Sequence, residues 1–116
     1  MRILHSDNPL NDSPLGGYRI ITFESDQPAD KIQQFYRIRL AQRGWYLLCS
    51  PTQLEQPGCP LGLSPVVELA DAYERYDDPT KVRAINVSIF KPGEQLVSGE
   101  DRLVEIIEYR YSFPVP

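Results

Sequence analysis

The chain has 116 residues, of which 41% are hydrophobic and 24% charged, and its formal net charge is −4. This length suits one domain, because so few residues would hardly build a second hydrophobic core. A weakly acidic chain gains nothing from the attraction of nucleic-acid phosphates or of an anionic membrane surface, and its apolar runs are too short to cross a bilayer. We therefore expect no nucleic-acid partner and no membrane insertion by this segment.

The first 17 residues are predicted to be a flexible leader. Residues 5–17 (HSDNPLNDSPLGG) are polar and rich in proline and glycine, a composition that cannot bury enough apolar surface to fold. His5 is the sole histidine of the chain and lies in this leader, so we interpret it as a linker residue and not as a catalytic base. The leader lacks a signal-peptide pattern, although an upstream signal or anchor would be compatible with it. Residues 18–116 then form the single domain.

A strand over residues 18–24 and a helix over residues 28–43 follow the leader. Pro28 suits the first turn of the helix, and negative charge nearby matches the positive end of the helix dipole. Gly44 stands where a helix favours a left-handed residue. The apolar side chains recur at a spacing of three to four residues and form one stripe: Ile32, Phe35, Tyr36 and Leu40. The cations of the last turns are interpreted as a solvated margin of the helix: Arg37, Arg39 and Arg43.

The two cysteines give the best indication of the compartment. Residues 45–49 are predicted to be a strand, and Cys49 and Cys59 enclose a loop with two prolines and a glycine that can turn back. A disulfide here would remove roughly 2–3 kcal/mol of chain entropy from the unfolded state, and structural disulfides are typical of exported domains. We therefore favour an extracytoplasmic protein, exported or surface-anchored in bacteria. The alternative is a pair of free thiols in a cytoplasmic protein.

Residues 66–76 admit two interpretations. Their apolar side chains fit a short helix starting at Pro65, yet the turn signal at residues 77–80 (DDPT) precedes a clear strand at residues 82–91. A hairpin across this turn is the simpler geometry, so we favour a strand. The last strand is predicted over residues 102–112, and the final FPVP cannot continue a central ladder.

The predicted order is strand, helix and four further strands. This order indicates an α+β fold, with one helix packed on an antiparallel sheet of four or five strands. It resembles the cystatin-like and helix-grip topologies. A shared topology does not fix a function.

Tyrosines form the candidate binding surface of this sheet. Tyr109 and Tyr111 would share one strand face, and Tyr73 or Tyr76 would join them from a neighbouring strand. Tyrosine suits binding because it offers a rigid apolar ring and a polar tip, although core packing would also explain these residues. No catalytic, cofactor-binding or metal-binding residues are expected. One acidic group is not expected to bind calcium, because it lacks the ligand alternation and glycine of an EF-hand: Glu68, Asp71, Glu74, Asp77 and Asp78.

Residues 21–45 resemble a pattern seen in small bacterial domains of unknown function. In that pattern a strand is followed by a helix that ends in FYxxxLxxxGW and leads into another strand. The match covers about a fifth of the chain and is carried by five residues: Phe35, Tyr36, Leu40, Gly44 and Trp45. Such domains are often found in exported or lipid-anchored proteins. The resemblance therefore implies export and brings no catalytic residues.

The sequence thus favours a non-catalytic binding or structural module of an exported bacterial protein, without cofactors and with an unknown protein or small molecule as its partner. One alternative is a small-ligand-binding domain or enzyme with a pocket between helix and sheet. Another is a protein-interaction domain that pairs through an edge strand, for example as a homodimer.

Overall fold

The computed structural model describes residues 2–7, 17–52, 57–78, 81–93, 99 and 101–112, and it describes side chains for residues 18–52, 57–76, 82–93, 99 and 101–110. These residues form one α-helix and six β-strands, so the predicted α+β class is confirmed, with more strands than the four or five expected. The elements are β1 (Arg2–Asp7), β2 (Gly17–Ser25), α1 (Ala29–Gln42), β3 (Tyr46–Cys49), β4 (Val67–Asp78), β5 (Lys81–Phe90) and β6 (Arg102–Ser112).

All six strands belong to one antiparallel sheet with the order β1-β2-β6-β5-β4-β3. The strand before the helix pairs with the last strand, and β3 to β6 run as a meander. Side chains alternate between the two sides of each strand. We call the side that α1 covers the helix face and the opposite side the far face.

The first strand corrects the prediction for the leader. Arg2–Asp7 pairs with β2, from Arg2 opposite Glu24 to Asp7 opposite Ile20. Every non-proline residue can donate and accept backbone hydrogen bonds, so the polar side chains of residues 5–7 did not prevent pairing with β2. Residues 8–16 of the predicted leader lie outside the described residues, as does the final FPVP.

The structure decides between the two interpretations of residues 66–76 in favour of the strand. β4 runs from Val67 to Asp78 and pairs with β5 along its length. The helix starting at Pro65 is therefore wrong. The pairing with β5 has irregularities between Val67 and Leu69 and between Tyr76 and Asp78.

The helix begins and ends as the sequence predicts. The carbonyl of Pro28 accepts hydrogen bonds from the amides of Lys31 and Ile32, and Gly44 has a φ of 84° in the left-handed region. Of the predicted stripe, Ile32 and Leu40 are buried, whereas the side chain of Phe35 is 46% exposed. Phe35 therefore lies at the edge of the stripe and not in the core.

Apolar side chains fill the space between the helix and the sheet. Trp45, which lies between the helix and β3, belongs to this core. The buried cluster contains Phe23, Ala29, Ile32, Leu40, Trp45, Tyr73, Ile85, Val87, Ile89 and Val104.

Candidate functional site: two faces of one sheet

A buried carboxylate on the helix face joins three parts of the chain. Asp71 of β4 is 2% exposed, and its carboxylate accepts hydrogen bonds from α1, from β4 itself and from the segment after β3. From α1, Arg37 donates through Nε (2.9 Å to Oδ2) and Nη2 (3.0 Å to Oδ1), and Gln33 donates through Nε2 (3.0 Å). From β4 itself, the hydroxyl of Tyr73 donates to Oδ2 over 2.8 Å. This network ties the helix to the centre of β4.

Ser50 brings the segment after β3 into the same network. Its Oγ lies 2.7 Å from Oδ1 of Asp71 and 3.0 Å from the carbonyl oxygen of Ala70. A hydroxyl has one proton, so Ser50 donates to one of these acceptors at a time. Ser50 directly follows Cys49, which forms a disulfide with Cys59 across a Cα–Cα distance of 5.8 Å. The predicted disulfide is thus present, and it anchors the chain next to the network.

The electrostatics of Asp71 fit a structural ion pair. Burial alone would raise the pKa of Asp71, but hydrogen bonds from Arg37, Ser50 and Tyr73 outweigh burial and hold that pKa below its usual value. Burial and the neighbouring Asp71 carboxylate raise the pKa of Tyr73, so its phenol stays protonated and donates. Arg37 was expected to lie in a solvated margin of the helix, and its side chain is indeed 40% exposed, but its guanidinium is also paired with the buried carboxylate of Asp71.

The far face has a different chemistry. A directly paired row of residues crosses five neighbouring strands of the sheet. Aromatic rings stand at both ends of this row and small or polar side chains lie between them. We call it the tyrosine row: Tyr18, Tyr109, Ala84, Glu74 and Tyr46.

A groove of about 510 Å³ lies over the middle of the tyrosine row. Its floor includes Ala72, Ala84 and Asn86 of β4 and β5, and Tyr109 lies at one side. On the β3 side it is lined by Leu48, Gly58, Cys59 and Pro60, so the disulfide holds this wall in place. The small alanine side chains leave the depth of the groove open.

A tyrosine pair lies at the β3 end of the row. The rings of Tyr46 and Tyr76 are stacked, with centroids 6.2 Å apart and an interplanar angle of 17°. The hydroxyl of Tyr76 donates to Oε2 of Glu74 over 3.2 Å. The hydrogen bond with Tyr46 and the charge of Glu74 raise the pKa of Tyr76 to about 12. Tyr76 is nevertheless 55% exposed, so the pair presents an aromatic surface to solvent.

The structure separates the four tyrosines of the predicted surface. Tyr76 and Tyr109 lie on the far face and are exposed. Tyr73 is 2% exposed and belongs to the core on the helix face, so its assignment to the surface is corrected. Tyr111 is paired with Val82 along the backbone, and its side chain lies outside the described residues.

Two further tyrosines of this surface were not predicted from the sequence. Tyr18 lies directly opposite Tyr109, and Tyr46 lies opposite Glu74. The alternation of strand side chains was the available signal, but it required the register of strands that are far apart in the sequence.

Comparisons with known proteins identify no relative. A scan of family models, a search of curated proteins and a search of solved structures each find no match for this chain. The resemblance to small bacterial domains therefore stays a prediction.

Within the described ranges, no group of three or more His, Cys, Asp or Glu residues could hold a metal ion. In the same ranges, no helix combines the length and apolar character needed to cross a membrane.

Proposed function

We propose that this chain is a non-catalytic binding module of an exported protein, and that its far face binds an extended, proline-containing peptide segment of neutral or basic charge. The observation that carries this proposal is the groove with an alanine floor between Tyr109 and the disulfide-held wall at Pro60. Aromatic-lined grooves suit proline-rich segments, because such segments are already extended and lose little entropy on binding.

The width of the groove favours an extended chain over a helix. Tyr109 stands on β6 and Leu48 on β3, which are three strand spacings apart. At about 4.8 Å per spacing, the two strands are about 14 Å apart, and the walls themselves occupy part of that distance. An α-helix with side chains is about 10–12 Å wide and would not enter, whereas a single extended chain would.

Charge on the far face favours a neutral or basic segment. Glu74 lies in the tyrosine row and lines the groove, and strand alternation places Glu105 on the same face. The described residues that line the groove include no lysine or arginine. A ligand with basic residues beside its prolines would therefore find complementary charge.

The compartment is part of the proposal. The disulfide supports an extracytoplasmic location, since such bonds persist where the environment is oxidising. Thiol titration of freshly isolated, unreduced protein under denaturing conditions tests this. We expect no free thiol, and two free thiols would contradict export.

A synthetic decaproline flanked by lysines is a direct probe of the groove. We expect the Tyr109→Ala variant to bind it at least about tenfold more weakly, because aromatic anchors dominate such interfaces. Ala84→Leu should weaken binding similarly by filling the floor. Phe35→Ala is the matched control, since it removes an exposed ring from α1 and should leave the affinity unchanged. Calorimetric titration measures all four proteins.

Two outcomes would overturn the proposed ligand. One is a decaproline affinity that neither far-face substitution changes. The other is binding of a neutral oligosaccharide such as cellohexaose, with loss in Tyr109→Ala, and no binding of the peptide. The second outcome would assign the same groove to a glycan.

A second candidate function is pairing of two copies through the edge strand β3. Three consecutive residues of this strand, Tyr46, Leu47 and Leu48, are exposed and apolar, and exposed edges of this kind tend to pair. Light scattering at high protein concentration tests this function. A dimeric mass that Leu47→Lys converts to a monomeric mass would support it, and a monomeric wild type would contradict it.

A further inference from the structure

Two tyrosines and a glutamate meet at the β3 end of the tyrosine row, beside the groove. Glu74 lines the groove and lies directly opposite Tyr46 of β3. Tyr76 lies two residues further along β4, and its hydroxyl reaches back to Oε2 of Glu74 over 3.2 Å. The ring of Tyr46 stacks on that of Tyr76, so both rings are grouped with one carboxylate. We call this set the glutamate corner: Tyr46, Glu74 and Tyr76.

The glutamate corner combines two features that recognise a cation. The face of an aromatic ring is electrically negative and attracts an ammonium or guanidinium group. A carboxylate offers about four acceptor positions on its two oxygens, and the hydroxyl of Tyr76 occupies one of those of Glu74. Tyr46 and Tyr76 are 45% and 55% exposed, so a ligand can reach them from solvent. A cation would therefore find an aromatic face and a charged acceptor in one place.

Sheet stability explains the stacked rings of the corner but not its carboxylate. Tyr46 and Tyr76 are diagonal neighbours on paired strands, and aromatic pairs of this kind stabilise a sheet. Glu74, in contrast, is the one charged residue among the described residues that line the groove. A ligand that covers a carboxylate without a counter-charge pays for removing it from water. The position of Glu74 therefore favours a ligand that carries a cation at this end.

We propose that the glutamate corner is a subsite for a lysine or arginine side chain of the peptide that binds the groove. This inference rests on the proposed function, because its ligand is the same peptide. Tyr76 stands two residues beyond Glu74, which is about 7 Å along β4. An extended proline segment advances about 3.1 Å per residue, so the basic residue lies about two residues from the proline over Glu74.

The preference for a charged peptide over an uncharged one tests the subsite. Calorimetric titration at physiological salt compares the lysine-flanked decaproline with the same peptide after acetylation of its lysines, which removes their charge and keeps the prolines. We expect the wild type to bind the charged peptide about tenfold more tightly, through a charge-assisted hydrogen bond and a cation–π contact. This preference should fall to about twofold or less in Glu74→Gln and to about threefold in Tyr76→Leu.

Glu105→Gln is the matched control, because it removes the same charge from the same face. Glu105 is opposite Ser88, and Ser88 is opposite Ala70, so Glu105 lies two strands and four residues away from Glu74, a distance of roughly 16 Å. Screening at physiological salt acts over about 8 Å. The control should therefore keep a preference within about twofold of the wild type.

The outcomes separate this inference from the proposed function. Equal affinity of the wild type for the two peptides would overturn the subsite and leave the groove in place. A preference that survives in both Glu74→Gln and Tyr76→Leu, or that falls equally in Glu105→Gln, would overturn the subsite as well. If the wild type binds neither peptide, the proposed function fails together with the subsite. Circular dichroism checks each variant, and the exposed Tyr76 keeps the test available if Glu74→Gln unfolds.

Discussion

The helix face and the far face differ most clearly along β4, which contributes to both. Toward the helix, Asp71 and Tyr73 are buried and joined by hydrogen bonds. Toward the other side, Ala72 lines the groove and Tyr76 offers an exposed ring. Alternate residues of one strand thus serve different purposes, so a change at one position should affect stability and a change at the next should affect binding.

The largest expected effect is on the helix face. In Asp71→Ala, Arg37 and Tyr73 lose their common acceptor, and we expect a loss of about 3 kcal/mol in the free energy of unfolding, since breaking a buried pair is costly and Arg37 remains partly solvated. Urea denaturation followed by circular dichroism measures this. Glu74→Ala, the carboxylate of the tyrosine row, is the control and should cost less than about 1 kcal/mol. Equal losses of unfolding free energy in the two variants would contradict the proposed difference in stability between the two faces.

Removal of the disulfide should have the next largest effect on stability, and it should also weaken binding at the far face. We expect the double substitution of Cys49 and Cys59 by serine to lower the free energy of unfolding by about 2–3 kcal/mol, because the unfolded chain gains freedom. Peptide binding should weaken as well, since the bond holds the wall at Pro60. A variant that loses stability but binds normally would show that the groove does not depend on the bond.

Acid should weaken the helix face through Asp71. Its pKa is lowered in the folded state, so its contribution is present above the unfolded value of about 3.9 and is lost as the pH falls through the folded value. The urea midpoint of the wild type should therefore fall more steeply below about pH 4 than that of Asp71→Ala. Parallel curves for the two proteins would contradict the ion pair.

The smallest effect on stability is expected at the far face. Tyr109 is exposed and lies over small residues, so Tyr109→Ala should change the free energy of unfolding by less than about 1 kcal/mol. Tyr73→Phe, which removes a buried donor to Asp71, should cost more, about 1–2 kcal/mol. Thermal unfolding of the two variants side by side checks this order.

The sequence predicted the parts of the fold that depend on neighbouring residues. The helix was found because Pro28, its apolar stripe and Gly44 lie within one short segment. β1 was missed because its partner strand, not its own composition, determines it. The ion pair was also missed, since Arg37 and Asp71 are 34 residues apart and meet only when α1 packs on β4.

The sequence predicted only part of the candidate site, because the face on which a strand residue lies depends on long-range pairing. Tyr76 and Tyr109 have the expected exposure, but Tyr73 differs from Tyr76 by an odd number of residues and so lies on the other face of β4. Tyr18 joins Tyr109 only through the pairing of β2 with β6. Assigning faces therefore required the long-range register of the sheet.

We propose that the peptide binds on the far face, whereas the Asp71 network on the helix face stabilises the fold. The most direct test is an NMR titration of the ¹⁵N-labelled protein with the lysine-flanked decaproline. We predict that the amide signals of Ala72, Ala84 and Tyr109 shift and saturate together, while those of Gln33 and Arg37 stay in place. Shifts concentrated at Gln33 and Arg37, or no shifts at a large excess of peptide, would contradict it.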